Sequence, residues 1–144
     1  RVVGGGLSND ANHISGPSKT GAELAMAIDQ ALKEANMNAD AVDFISAHGT
    51  ATLYNDEMEA KAFDLAGLID KPVNSLKGSV GHTLGAAGLV ESVMNIEGLL
   101  NNEVLPTVGF ELLGVSKPLR VSSQLNKLET RTCLKTGSGF GGCN

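Results

Sequence analysis

Residues 41–52, AVDFISAHGTAT, place a short apolar run directly before a histidine and a glycine. The run at 41–47 contains β-branched residues, and its length and composition predict a buried strand. Helical patterns lie on both sides of it: apolar residues recur at helical spacing in 20–35, and acidic residues follow Asn55. A second strand is predicted at 72–76, PVNSL. Alternating strands and helices indicate an α/β layered fold.

The ends of these elements can also be predicted. Asn36 is expected to end the first helix, and Asn55 to cap the second. We expect the second helix to bury Leu65 on its apolar face and to stop at Gly67. Residues 1–6, RVVGGG, are interpreted as the end of a strand that enters a loop.

The second half of the chain continues the alternation. Residues 83–100 are apolar nearly all round, which predicts a central, buried helix. LRVSS at 119–123 and TRTCLKT at 130–136 predict further strands, and a glycine-rich loop, 137–144, follows them. The missing initiator Met and the missing strand after this loop favour a piece of a larger protein, with 1–144 as one domain.

Composition excludes several classes of function. The net charge of −5 and the pI near 5.1 argue against nucleic-acid binding, which needs a basic surface. No apolar run reaches the roughly 20 residues of a membrane helix, and no secretory leader is present. Two cysteines do not make a disulfide scaffold, so we expect reduced thiols and a cytoplasmic protein.

The first candidate site residues follow the strand at 41–47. His48 would lie at the edge where open α/β sheets bind ligands, and Gly49 allows close backbone approach. Thr50 and Thr52 alternate as in extended chain, so their hydroxyls would face one elongated polar ligand. The alternative interpretation is a turn with a structural histidine.

The second candidate segment is LKGSVGHTLGAAG, 76–88, followed by Glu91. His82 precedes the predicted helix, whose dipole would keep its imidazole neutral and able to donate a hydrogen bond. Glu91 lies among apolar residues and would need a cation if buried, and Lys77 is the nearest lysine. The alternatives are a glycine-rich helix start for packing, and Glu91 and Lys77 both at the surface.

The remaining motifs carry little chemistry. Neither GGG at 4–6 nor GSGFGG at 137–142 opens a helix, so no nucleotide cofactor is predicted. No metal is predicted either, because His48 has no partner at a ligand spacing. Cys133 is interpreted as a packed thiol, and Cys143, next to the glycine loop, as the better reactive candidate but without an identified activator.

Four segments occur in a characteristic order: HGTAT at 48–52, KGSVGHTLGAAG at 77–88, PT at 106–107 and GSGFGG at 137–142. Together they resemble the C-terminal half of a β-ketoacyl-acyl carrier protein synthase of the elongating type, and SNDANHIS at 8–15 resembles a further stretch of that half. The resemblance implies a thiolase-like fold, an αβαβα sandwich of two similar halves, of which this chain is one, ending before its last strand. It also implies decarboxylative Claisen condensation in fatty acid or polyketide synthesis.

The resemblance assigns roles to four residues near the predicted helix and strand ends. His48 and His82 would be the histidine pair that hydrogen-bonds the malonyl thioester carbonyl and stabilises the enolate. Lys77 would be the active-site lysine, held by Glu91, with an organising role. His48, Lys77 and His82 are the expected catalytic residues.

Five further residues receive supporting roles from the same resemblance. Thr50 and Thr52 would bond the pantetheine arm, with Ser15 and Asn144 at its entrance. Phe140 would be the gating phenylalanine on a glycine-hinged loop. The substrates would arrive on the phosphopantetheine of acyl carrier protein, with no other cofactor.

The resemblance also implies partners: acyl carrier protein, the N-terminal half of the same synthase, and a second copy in a homodimer. The nucleophilic cysteine belongs to the N-terminal half, because neither Cys133 nor Cys143 matches its motif. We therefore expect no condensing activity from these 144 residues alone. Ser138 stands where elongating enzymes often carry another phenylalanine.

Three alternatives remain open. The first is a non-catalytic partner subunit of the chain-length-factor kind. The second is a biosynthetic thiolase, which shares the fold but carries a reactive cysteine before its glycine triplet. The third is a structural domain whose glycine loops serve only packing.

Overall fold

The computed structural model describes residues 1–10 and 13–144, so Ala11 and Asn12 of the SNDANHIS stretch lie outside the described residues. The described residues form four α-helices and six short strands, with 3₁₀ turns at Ala39–Ala41 and Leu84–Ala86. The helices are α1 Ala22–Glu34, α2 Leu53–Leu65, α3 Lys77–Val80 and α4 Ala87–Asn101. The strands are β1 Phe44–Ser46, β2 Pro72–Asn74, β3 Glu103–Val104, β4 Arg120–Val121, β5 Asn126–Lys127 and β6 Cys133–Lys135.

A parallel sheet in the order β4-β2-β1-β6 forms the centre of the fold, which confirms the predicted α/β class. β1 is buried along its whole length. β3 and β5 form a separate antiparallel pair. All four strands of the larger sheet run in one direction, so the loops that follow β1, β2 and β6 meet at one edge.

The two faces of this sheet differ in chemistry. Val73, Ile45 and Leu134 lie side by side across β2, β1 and β6, on the face covered by α1 and α2. The next row, Asn74, Ser46 and Lys135, points to the opposite face because successive residues of a strand alternate. This polar row lies against α4.

The first two helices largely follow their predictions. α1 ends next to Asn36, which adopts a left-handed φ of 54° as a helix terminator does. Asn55 is not the cap of α2: Thr52 occupies that position, and Asn55 lies in the first turn with its amide bonded to Glu59. Leu65 was predicted to be buried but is exposed, because Phe63 fills the core position at this end of α2.

The N-terminal segment is not the predicted strand end. Residues 1–8 carry no strand and pass closely over α1. A Cβ on Gly6 would lie 1.9 Å from the Ala27 carbonyl oxygen, so only glycine fits there. Ser8 exchanges backbone hydrogen bonds of 3.0 Å with Asn144, which joins this segment to the C-terminal loop.

Helix α4 corrects the prediction of a helix buried all round. Its buried positions are small or polar, namely Ala87, Glu91, Asn95 and Gly98, and they face the polar row of the sheet. Large apolar side chains, such as Leu89 and Leu100, are 71% and 72% exposed. Hydropathy alone could not assign the faces, because polar contacts decide which face of α4 meets the sheet. Within residues 1–10 and 13–144, no helix is both long enough and apolar enough to cross a membrane.

Candidate active site

Two imidazole rings meet at the carboxyl edge of the sheet. His48 follows β1 and is buried, whereas His82 lies exposed in the loop between α3 and the turn at Leu84–Ala86. Their ring centroids are 5.1 Å apart, and the ring planes cross at 81°. The fold therefore brings together two histidines that belong to different βα connections.

The ring orientation of His82 is fixed by its own loop. The backbone N–H of Leu84 donates to Nδ1 of His82 over 3.2 Å. A neutral His82 ring in this position carries its proton on Nε2, which is left to donate to a ligand. His82 does not directly precede the long helix as predicted, because the turn at Leu84–Ala86 comes first and α4 begins only at Ala87.

His48 has the clearer reason to stay neutral. Burial lowers the pKa of its imidazole to about 4, with the ammonium groups of Lys77 and Lys135 contributing next and His82 also lowering it. Glu91 acts in the opposite direction. At pH 7 the His48 ring is therefore an uncharged hydrogen-bond donor and acceptor.

The predicted Lys77–Glu91 ion pair is present. Lys77 Nζ lies 2.7 Å from Oε1 of Glu91, and both side chains are withdrawn from solvent. The same ammonium donates to the backbone carbonyl of His48. Burial alone would raise the pKa of Glu91, but hydrogen bonds from Lys135 and Lys77 outweigh it and hold the pKa below its ordinary value.

Sequence reasoning missed Lys135, a second lysine on the same carboxylate. Its Nζ lies 2.6 Å from Oε2 of Glu91 and also donates to the carbonyl of Ala47 over 3.2 Å. The signal was a lysine inside a predicted strand, TRTCLKT, where a charge is costly unless it is paired.

Glu59 was also missed as a site residue. Its buried carboxylate accepts the backbone N–H groups of His48 and Gly49, over 2.8 and 2.7 Å, and the hydroxyl of Thr136 over 2.8 Å. Gly49 has a φ of 47°, a left-handed conformation that glycine adopts without strain. Glu59 thus fixes the backbone that carries His48.

A cavity of about 720 Å³ opens beside the imidazole pair. Thr50, Thr52, Lys77 and His82 contribute to its lining, together with residues 107–115. The hydroxyls of Thr50 and Thr52 lie 2.7 Å apart and bond each other, but the segment is not extended as predicted, because Ala51 adopts a left-handed φ of 57°. The cavity offers polar groups at one end and apolar side chains along the loop.

Ser15, Phe140 and Asn144 lie elsewhere, outside the lining of this cavity. The N–H of Gly141 donates to the carbonyl of Ile14 over 2.8 Å, so the loops of Ser15 and Phe140 are neighbours. Phe140 is 86% exposed, and the side chain of Asn144 accepts from Ser138 over 2.9 Å. The candidate residues therefore divide into those that line the cavity, His48 and Glu91 in contact with them, and a C-terminal loop group.

Neither cysteine is placed as a nucleophile of this site. Cys133 lies in β6, where burial raises the pKa of its thiol to about 12, as expected of a packed thiol. Cys143 is exposed on the C-terminal loop and accepts from the Asn9 amide over 3.7 Å. Over the described ranges, 1–10 and 13–144, no three His, Cys, Asp or Glu side chains group to hold a metal ion.

The loop at 108–117 covers the cavity and is tied to α2. Both the hydroxyl and the backbone N–H of Ser116 donate to the carboxylate of Glu57, over 2.6 and 2.8 Å. Lys117 adds an ion pair of 2.5 Å with Asp64. The position of the cavity wall therefore depends on an ionised carboxylate.

We expect the variant Glu57→Gln to lose stability in a pH-dependent way. Hydrogen bonds from the Ser116 hydroxyl and then its backbone N–H lower the pKa of Glu57 from 4.5 to about 2. A lowered folded-state pKa stabilises the fold above the ordinary pKa, and this contribution is lost as the pH falls through about 2. Thermal melts from pH 2 to 7 should show the parent more stable above pH 4.5 and the two proteins converging in acid.

Ser116→Ala serves as the companion variant, since it removes the hydroxyl donor, keeps the backbone N–H donor, and should give the same trend with a smaller size. Because Glu57 is partly solvated, the difference in stability should be small. It should be present above pH 4.5 and disappear as the pH falls toward about 2. A difference of constant size between pH 2 and pH 7 would contradict the assignment.

The match with known proteins agrees with this architecture. Residues 1–111 match the family model of the β-ketoacyl synthase C-terminal domain. The chain is 36% identical, over 99% of its length, to 3-oxoacyl-[acyl-carrier-protein] synthase 2 of Vibrio cholerae serotype O1, of which it covers 36%. It therefore spans about a third of the length of that relative.

Two solved structures show the same likeness in three dimensions. The ishigamide ketosynthase/chain length factor superposes with a TM-score of 0.92 at 31% identity, covering 99% of this chain and 36% of its own. The second is AntDE:AntF, a type II PKS acyl-carrier protein in complex with its ketosynthase. It superposes with a TM-score of 0.89 at 32% sequence identity, covering 99% of this chain and 36% of its own. The chain has a thiolase-like α/β fold, and it belongs to the β-ketoacyl synthase family as a C-terminal domain.

Proposed function

We propose that this chain supplies the carbonyl-binding part of a 3-oxoacyl-acyl carrier protein synthase, which condenses malonyl-carrier protein with an enzyme-bound acyl group. The observation that carries the proposal is the pair of imidazoles, 5.1 Å apart, next to a cavity of about 720 Å³ that His82 lines. The catalytic residues of the proposal are His48, Lys77 and His82.

In this proposal both imidazoles donate hydrogen bonds to the thioester oxygen of the malonyl group. The bond between the carboxylate and the α-carbon breaks, carbon dioxide leaves, and the electron pair forms an enolate whose charge lies largely on that oxygen. Donors aimed at such an oxygen stabilise the transition state more than the ground state. The low pKa of His48 supports a neutral donor that does not hand its proton to the substrate.

The enolate carbon then attacks an acyl thioester on a cysteine. A carbon–carbon bond forms, the cysteine thiolate leaves, and the product is a 3-oxoacyl group on the carrier protein. The nucleophilic cysteine is assigned to the N-terminal half of the synthase, since burial raises the pKa of Cys133 to about 12 and Cys143 lies on the C-terminal loop.

The remaining residues position the substrate. Thr50 and Thr52 bind the pantetheine arm through their paired hydroxyls, and Lys77 with Glu91 organises the backbone of His48. Ser15 and Asn144 are placed at the entrance, and the exposed Phe140 closes over the acyl cysteine when the other half is present.

We assign the complete synthase to the cytoplasm, as a homodimer that receives phosphopantetheine-bound substrates from acyl carrier protein and uses no other cofactor. The similar solved structure of an acyl-carrier protein in complex with its ketosynthase supports the carrier as partner. The chain itself is acidic, so the basic surface that an acidic carrier needs belongs mainly to the other half.

A non-catalytic subunit of the chain-length-factor kind is the second candidate, because one of the similar solved structures is a ketosynthase/chain length factor. The intact set His48, Lys77 and His82 favours the catalytic assignment. A biosynthetic thiolase fits less well, since Gly139 and Phe140, and no cysteine, precede Gly141 and Gly142.

The test uses the natural protein that contains this chain, given malonyl-carrier protein and an acyl-carrier protein. We expect carbon dioxide and the 3-oxoacyl product in equal amounts, and neither when malonyl is replaced by acetyl. The 144 residues alone should give no condensation, because the acyl-accepting cysteine is assigned to the other half. An absence of product from the full protein would contradict the proposal, and so would turnover by the isolated chain.

A further inference from the structure

Lys135 is a buried charge that the proposed condensation does not use. Its side chain is 18% exposed, and it lies at the end of β6 on the polar face of the sheet. Burial lowers the pKa of its ammonium, which the Glu91 carboxylate opposes. Packing alone would be satisfied by an apolar residue such as its neighbour Leu134, so this ammonium calls for another explanation.

The cluster around Glu91 contains more positive than negative charge. Lys77 lies on Oε1 and Lys135 on Oε2, at 2.7 and 2.6 Å, while Glu91 itself is 1% exposed. One carboxylate is enough to compensate one ammonium, and a second buried ammonium adds a desolvation cost. Two ammonium groups therefore share the Glu91 carboxylate at the carboxyl edge of β1, and the nearby Glu59 carboxylate also stabilises the ammonium of Lys135.

The two ammonium groups bind consecutive carbonyls of one short segment. Lys135 donates to Ala47 and, over 3.4 Å, to Ser46, and Lys77 donates to His48. On the other side, Glu59 accepts the N–H of His48. The two lysines thus bind carbonyl oxygens of this segment, and Glu59 binds an N–H group of it. Together they fix the backbone that carries the His48 ring.

We propose that Lys135 is a second positioning lysine of this site, which shares Glu91 with Lys77, fixes the backbone at His48 and adds positive charge beside the thioester oxygen. The part that concerns the thioester rests on the proposed function. The part that concerns His48 rests on the contacts and can be measured without substrate.

The charge environment of His48 sets the direction of the expected effect. The groups that face it are Lys77 from α3, Lys135 from β6, His82 from its loop, Glu91 from α4 and Glu59 from α2. Like charges disfavour the imidazolium form, so removing an ammonium should make His48 bind protons more tightly.

The experiment is a titration of His48 by NMR in the natural protein that contains this chain, with labelled histidine. In Lys135→Met we expect proton affinity to rise about threefold to tenfold, because a nearby charge shifts a titration by about that amount. Lys135→Gln should behave alike, and Lys135→Arg, which keeps the charge, should stay close to the parent. Lys71→Met is the matched control, since Lys71 also donates to a carbonyl, of Asp40 over 3.0 Å, but precedes β2 at the opposite edge of the sheet.

Malonyl decarboxylation gives the second measurement. Because Lys135 does not line the cavity, its neutral variants should lower kcat with little change in KM. As the pH is lowered, the activity of these variants should begin to fall at a higher pH than that of the parent, because the proposed donor is the neutral form of His48.

The outcomes separate the two proposals. A shifted titration in a protein without decarboxylase activity supports the Lys135 assignment and contradicts the proposed function. An unchanged titration in both neutral variants overturns the Lys135 assignment even if the protein condenses substrates. If both neutral variants fail to fold while Lys135→Arg folds, the charge serves the fold and the positioning role is overturned.

Discussion

Replacing His82 by Ala should lower the rate of malonyl decarboxylation by about 10²- to 10³-fold, which is the usual cost of removing one oxyanion donor. The donor lost is the Nε2–H that remains after Nδ1 has accepted the Leu84 N–H. Because the bond strengthens as the enolate forms, the loss should fall on kcat far more than on KM. Carbon dioxide release from malonyl-carrier protein, followed in the natural full-length protein, measures it directly.

His82→Gln is the matched variant, because its amide N–H can reach part of the same space. It should retain more activity than His82→Ala. His82 is exposed, so neither change should alter the midpoint of thermal unfolding appreciably. Decarboxylation by His82→Ala within about threefold of the parent would remove His82 from the oxyanion site.

The largest loss of stability is expected from Glu91→Gln, at about 3–5 kcal/mol in the free energy of unfolding. The change removes the carboxylate that forms ion pairs with both Lys77 and Lys135 and leaves two ammonium groups in a poorly solvated place. Urea denaturation near neutral pH, where Glu91 is ionised, is the appropriate measurement.

Glu97→Gln is the control, since Glu97 lies on the exposed side of the same helix and should change stability by no more than about 0.5 kcal/mol. The triple variant Lys77→Met, Glu91→Leu, Lys135→Met should recover much of the lost stability, because no buried charge then remains unpaired. Equal stability of Glu91→Gln and the parent would show that this carboxylate does not compensate the two lysines.

The sequence predicted those elements whose signals are local. The β-branched run at 41–47 and the periodic apolar residues of 20–35 specify β1 and α1 by themselves. The exposed apolar face of α4 could not be predicted, because the helix meets the sheet through Glu91 and Asn95, and these contacts depend on partners distant in sequence.

The same distinction holds for the site. Lys77 and Glu91 were predicted as a pair because both flank one helix start, and the pair is present. Lys135 reaches Glu91 only through the pairing of β6 with β1, which no local pattern reports. Glu59 was not predicted as a site residue, because its bonds to backbone N–H groups have no sequence signature.

Two adjacent residues at the end of β6, Lys135 and the following Thr136, contact the two buried carboxylates of Glu91 and Glu59. Lys135 points to Glu91 on one face of the sheet, and Thr136 points to Glu59 on the other. A slip of β6 by one residue would exchange the two faces, placing an ammonium where a hydroxyl fits and leaving Glu91 with one cation fewer. The charges at this edge therefore discriminate between alignments of the last strand, and a chain mispaired there would be penalised electrostatically before any substrate is bound.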